Sequence, residues 1–186
     1  MNEVRFTTVR DLYDAFETAE EDVGKPASDI HSLEFLRALK RDREWSAAIS
    51  FCAYLLPRRA AVAWGCRALR RVLPRATADD DKALAFAEAW VEEPQELQRR
   101  KALALGNQSN MRVATTWLAL AAGWSGGSVV PVESGHIPAT AEQTARAIRG
   151  GLLMARARLP QETADAILSA WIEDGIRLAT GESGSS

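Results

Sequence analysis

The sequence predicts an all-α fold, an irregular orthogonal array of about eight to nine helices around two central apolar ones. Three observations lead there. Alanine and leucine dominate the apolar residues while β-branched residues are sparse, a bias toward helix. Apolar positions recur at three- and four-residue intervals along most of the chain, and no useful run alternates with period two. Proline, glycine and hydroxyl or acidic caps divide these periodic stretches into helix-sized pieces.

The first helix is expected from about Val9 to Glu20, capped by Thr8, with Leu12, Ala15, Phe16 and Ala19 on one stripe and Gly24 and Pro26 beyond its end. Ser32 opens a shorter helix to Lys40 that groups Leu33, Leu36 and Leu39. Its charged face continues through Arg41, Asp42, Arg43 and Glu44. From Trp45 to Leu55 apolar residues cover every side of the wheel, the mark of a central helix. Pro57 suits the first position of the next helix, which runs to Val72. Ala61, Trp64, Ala68 and Leu69 lie on its apolar arc, and Arg59, Arg67, Arg70 and Arg71 on a solvated one.

Thr77 followed by Asp79, Asp80 and Asp81 is a strong helix start, because a hydroxyl cap and first-turn acids both suit the free N–H groups there. This helix carries Ala83, Phe86, Ala87 and Trp90 at core spacing before Pro94. A basic helix follows from Gln95 to Leu105, with Gly106 as a left-handed C-cap. The second all-round apolar helix spans about Met111 to Trp124. Ser125 to Ala139 is the long irregular segment and must lie at the surface; within it Ser128 to Val132 is the one stretch fit for a token strand. Thr140 is expected to cap a helix to Leu159, and Pro160 to open the last one, which is amphipathic through Ala179. Residues 1–181 therefore read as a single helical domain, with 1–44 a candidate protein-specific extension and 182–186 a disordered tail. Ala-Trp recurs at Trp64, Trp90 and Trp171, but the flanking residues do not match, so the chain does not read as a repeat array.

At 186 residues the chain can bury roughly two-thirds of its unfolded surface unaided. A formal net charge of −2 supplies no field to gather nucleic acid or anionic membrane. The uncharged stretch Val113–Val132 is interrupted after about a dozen residues, too short for membrane insertion. Met1 to Asp14 is charged throughout, without the apolar run of a secretory signal, so a cytoplasmic location is expected. Cys52 and Cys66 lie in apolar helices without zinc or disulfide spacing and read as buried free thiols.

Catalytic chemistry is hard to assemble from these residues. Only His31 and His136 could serve as an imidazole base, and both read first as surface histidines. Two histidines and two core cysteines do not make a normal zinc set, and Asp79, Asp80 and Asp81 are explained by capping. The expectation is therefore no catalytic residue, no metal, no cofactor and no small-molecule substrate. Three basic groups remain: Arg58, Arg59, Arg67, Arg70 and Arg71; Arg99, Arg100 and Lys101; and Arg146, Arg149 and Arg156. They read as salt-bridged or solvated faces, with a patch for an acidic protein partner next. The most unusual local feature is Trp124-Ser125-Gly126-Gly127-Ser128, two adjacent glycines after a buried helix. It reads either as a helix terminator with a tight turn, or as a place where backbone approaches a partner or forms an anion-binding nest.

Pro57 with Ala61, Trp64 and Cys66, then Ala89-Trp90 followed by Pro94 and Arg99, and above all the run Trp117 to Ser128, carry a resemblance. From about Trp45 onward the chain resembles a bacterial family of unknown function whose genes often lie beside type VI secretion components. Pro131 and Pro138 match that family's proline-containing loop. The resemblance implies context and no enzymatic residue: a non-enzymatic accessory or co-chaperone that holds a secretion adaptor or effector in the cytoplasm. The alternative is an immunity protein neutralising a toxin effector. The expected partner-binding residues are Trp124, Ser125, Gly126, Gly127, Ser128, His136, Arg146 and Arg149.

Overall fold

A computed structural model describes residues 4–73, 77–130 and 134–181. Among them are ten helices and no strand: α1 (Val9–Ala15), α2 (Ala19–Val23), α3 (Ser32–Arg41), α4 (Trp45–Leu55), α5 (Arg58–Val72), α6 (Ala78–Glu92), α7 (Glu96–Gln108), α8 (Ala114–Gly123), α9 (Gln143–Arg156) and α10 (Gln161–Ala179). The all-α array is as expected from the sequence. The expected tail at 182–186 lies outside the described residues.

Two helices are central. α4 packs on α2, α3, α9 and α10, while α8 packs on α5, α6, α7 and α9, so α9 touches both. Every residue of α4 except Ser46 is buried, and every residue of α8 except Trp117. Helices α1–α3 add Val9, Leu12, Leu36 and Leu39 to the same core. The thiols of Cys52 and Cys66 are free and buried, and burial raises the pKa of each.

Several helix ends follow local chemistry. Thr8 and Thr77 each form a capping box, with Asp11 and Asp80 as the returning carboxylates. His31 caps α3 through Nδ1, which accepts from the Leu33 N–H at 3.3 Å, so Ser32 is the first helical residue rather than the cap.

Four boundaries differ from the sequence reading. The expected helix Val9–Glu20 is broken into α1 and α2, because Phe16 turns out of the helix to pack between Phe6 and Tyr54, with ring centroids 5.6 and 5.2 Å away. α7 runs past Gly106 to Gln108, and Gly106 is buried inside it: a Cβ there would stand 2.6 Å from the Leu120 side chain, so the glycine serves helix packing and not a left-handed cap. α8 begins at Ala114, because Asn110 to Val113 form a turn. α9 begins at Gln143, not after Thr140. Gln143 still reaches back to accept the Thr140 N–H at 2.8 Å, half of a capping box without its helix.

Candidate functional site

The run Trp124–Ser128 is built from the C-terminus of α8 outward. A helix end exposes carbonyls that the helix itself cannot pair, and here side chains from three other helices take them. The Thr144 hydroxyl donates to the carbonyls of Ala121 (3.4 Å) and Trp124 (3.2 Å). Arg99 Nη1 donates to the carbonyls of Gly123 and Ser128. Arg58 Nη1 donates to Ser125 O at 2.7 Å, and its Nη2 to Thr140 O at 3.1 Å, so one guanidinium joins both ends of the loop.

Arg99 corrects the sequence reading most sharply. It is 4% exposed, not part of a surface basic group. Its Nε and Nη2 donate to the two oxygens of Glu96 at 2.7 and 2.8 Å, a bidentate pair that satisfies the buried guanidinium. Hydrogen bonds from Arg99 and Arg100, against a smaller opposing effect of burial, lower the Glu96 pKa to about 2. Gly127 lies directly on this guanidinium with φ +58°; a Cβ would meet Arg99 Nη2 at 2.9 Å. Both the left-handed backbone and the close approach require glycine there. A Cβ on Gly126 would touch nothing within 4 Å.

Beyond Gly127 the loop folds back on itself. Ser128 and Pro138 form an isolated antiparallel bridge, with Val129 N donating to Ile137 O at 2.8 Å and Ala139 N to Gly127 O at 2.9 Å. The Ser128 hydroxyl accepts from Val130 N and Ile137 N, each at 3.3 Å. The expected token strand is thus a single bridge at Ser128; Pro131 and Val132 lie outside the described residues. His136 and Ile137 are exposed, Ile137 to 54%, an unusual degree for a large apolar side chain.

Trp124 is half-buried and meets Trp117 edge to face, with centroids 6.4 Å apart. Trp117 is also half-buried, and its indole N–H is spent on Met111 O at 2.9 Å. From Trp117 the pair therefore offers apolar ring surface outward, next to Met111, itself 42% exposed.

Arg146 and Arg149 join a different cluster. Asp22 of α2 pairs with Arg146 Nε at 3.2 Å and Arg149 Nη1 at 3.6 Å and accepts from the Tyr54 hydroxyl at 2.6 Å. Arg149 Nε also donates to the Ser50 hydroxyl at 2.9 Å. The structure therefore unites Trp124 to Ser128 and the His136 segment, and sets the two arginines against α2.

Most other arginines of the sequence groups are also occupied. Arg59 donates to the last carbonyls of α6, Arg67 pairs with Asp174, and Arg70 bridges Asp81 and Glu88. A hollow of about 650 Å³ opens where α6, α8 and the end of α9 meet, lined by Thr77, Asp80, Asn110, Thr115 and Arg158 among others. Both Asp80 oxygens are engaged there: Thr115 donates to one, and the Thr77 N–H and hydroxyl to the other. Burial works against its ionised form, but these bonds prevail and keep its pKa below the ordinary value. Among the described residues no three His, Cys, Asp or Glu side chains are placed to hold a metal ion, and no helix is long and apolar enough to cross a membrane.

A family model described as "Family of unknown function (DUF6931)" matches residues 35–179, which includes every helix that builds this turn. The chain belongs to that family. The DUF6931 match begins within α3, ten residues before the resemblance read from the sequence. No curated protein and no solved structure matches the chain.

Sequence reasoning singled out the turn but missed the two arginines that hold it. A signal for Arg99 was present: Arg99, Ala102, Leu103 and Gly106 fall at i, i+3, i+4 and i+7, all four buried, so Arg99 stands at a core position of α7. Arg58 had no such signal, because its acceptors lie 67 or more residues away.

Proposed function

We propose that this protein is a non-enzymatic accessory factor of type VI secretion, a co-chaperone that binds an adaptor or effector in the cytoplasm. The observation that carries the binding reading is the Trp117–Trp124 pair. Two large half-buried rings, the Trp117 indole N–H already paired with Met111 O, lie on the outer side of an otherwise buried helix, beside a turn anchored by Arg58 and Arg99. Exposed aromatic surface on a fixed base is the composition of a protein-interaction hot spot, since little ordering entropy is lost on docking. The secretion context rests on the sequence resemblance.

The test is to tag the chain at its native locus and purify it under mild conditions. A secretion adaptor or effector should co-purify, and Trp117→Ser with Trp124→Ser should lose it while circular dichroism confirms retained helix. Recovery of no secretion-related protein, or equal recovery by the double variant, overturns the reading. Recovery of a toxin that kills only when this gene is deleted would replace it with the immunity role.

A further inference from the structure

A second surface, on the opposite partners of the core, has the chemistry of a binding groove. Between α3 and α10 lies a hollow of about 570 Å³, and a second of about 490 Å³ adjoins it, sharing Trp45 and Asp165. Five cations and two carboxylates line the two hollows, an excess of positive charge on a chain whose formal net charge is −2.

The cations differ in what holds them. Lys40 pairs with Glu173, and Arg43 with Asp165 at 2.7 Å. Arg37 makes no ion pair or hydrogen bond to any described residue, and Arg41 pairs only with its neighbour Asp42. Arg156 also lacks a partner among the described residues, and its Nε is shut away from solvent with nothing to donate to.

The floor is rigid. Asp165 accepts from Arg43 and, at 2.8 Å, from the Trp45 indole, which fixes the α3–α4 turn against α10. Arg43 reaches Asp165 from a left-handed backbone, φ +58°, the one non-glycine positive φ among the described residues. Such a conformation is disfavoured for a bulky side chain and normally selects Gly or Asn.

We infer that the α3–α10 groove binds an acidic polypeptide segment of a protein partner, with the exposed Arg37 and Arg41 taking its carboxylates. Charge complementarity selects an anionic occupant, and the two carboxylates select a peptide over nucleic acid. Binding of a continuous phosphate backbone rests on a run of cation–phosphate contacts, whereas Lys40 and Arg43 are already paired here, and Asp165 and Glu173 would oppose it. A discrete acidic side chain can sit between them. This surface is independent of the tryptophan pair proposed above.

The experiment is fluorescence anisotropy with the full chain and a labelled short peptide of Glu and Asp, alongside an uncharged peptide and a single-stranded oligonucleotide of equal length. The acidic peptide should bind, the uncharged one should not, and binding should weaken from low salt to about 0.15 M as exposed charges are screened. Arg37→Glu with Arg41→Glu should weaken binding at least about tenfold. Arg37→Gln with Arg41→Gln should fall between, which guards against a folding defect in the reversal variant. Trp117→Ser with Trp124→Ser should bind the peptide as the parent does, which separates this site from the other. Absence of peptide binding at low salt, equal binding by the reversal variant, or tighter binding of the oligonucleotide each overturns the inference.

Discussion

α4 and α8 are both apolar on every side, yet they are enclosed by opposite means. α4 is wedged by large side chains: Phe51 meets Phe35 at a centroid distance of 4.9 Å, and Tyr54 meets Phe16 at 5.2 Å. α8 is lined with Ala119, Ala121, Ala122 and Gly123, and its neighbour α7 comes in close to its backbone. A Cβ on Gly123 would stand 2.7 Å from the Leu103 Cα. The first arrangement depends on volume filled, the second on volume left out. The second also leaves Trp117 and Trp124 half-buried at the surface.

The largest expected effect tests the first half of that contrast. Phe51 is fully buried, so Phe51→Ala leaves a cavity in the middle of α4's packing and should cost about 4 kcal/mol, measured by chemical denaturation. Phe51→Leu should cost less than half as much. If both variants cost under 1 kcal/mol, α4 is not held by its large side chains.

Next comes the charge that closes the end of α8. Arg99→Ala strands the carbonyls of Gly123 and Ser128 and frees the half-exposed Glu96, and should cost about 3 kcal/mol, mostly from the two carbonyls left without their donor. Arg99→Lys should recover only part of this, because an ammonium cannot reproduce the planar set of bonds to both carbonyls and the carboxylate. Full rescue by lysine would show that charge alone, and not the fork geometry, seats the turn.

Gly123→Ala tests the second half of the contrast. The methyl group meets backbone, which cannot rotate away as a side chain can, so α7 and α8 must separate. The expected cost is about 2 kcal/mol by the usual penalty for overpacking. A neutral outcome would mean the two helices are not in fixed close contact.

These effects divide what the residues disclose from what they withhold. The bounds of α4 at Trp45 and Leu55 were legible, because an all-round apolar stretch ends at a proline whose ring suits the next helix start. The start of α6 was legible in Thr77 and Asp80, whose capping is local. Gly106 and Arg99 were misread for a shared reason. A glycine near the end of a periodic run usually stops a helix, and an arginine beside another basic residue usually faces water. In both cases a tertiary contact decides otherwise, Leu120 for Gly106 and the carbonyls of Gly123 and Ser128 for Arg99. The oddity of the Trp124–Ser128 turn was visible in its two glycines. Its cause was not, since Gly127 is needed for an arginine that is 28 positions away in the chain.

The smallest expected effect concerns the acid dependence of that turn. Glu96 has its pKa lowered from 4.5 to about 2 in the fold, so the folded state holds fewer protons than the unfolded one between those values. The stability it contributes is therefore fully present above about pH 4.5 and is lost as pH falls through about 2. Its carboxylate is 53% exposed, so solvent screening keeps the contribution small, under about 1 kcal/mol. Glu96→Gln should flatten the stability profile in that window and leave it parallel to the parent above pH 5. Because the carboxylate braces Arg99 and Arg99 braces the turn, the same variant should also speed backbone amide exchange at Val129 and Ala139, the two N–H groups that close the loop. An unchanged exchange rate there would mean that the two carbonyl bonds of Arg99 suffice without Glu96.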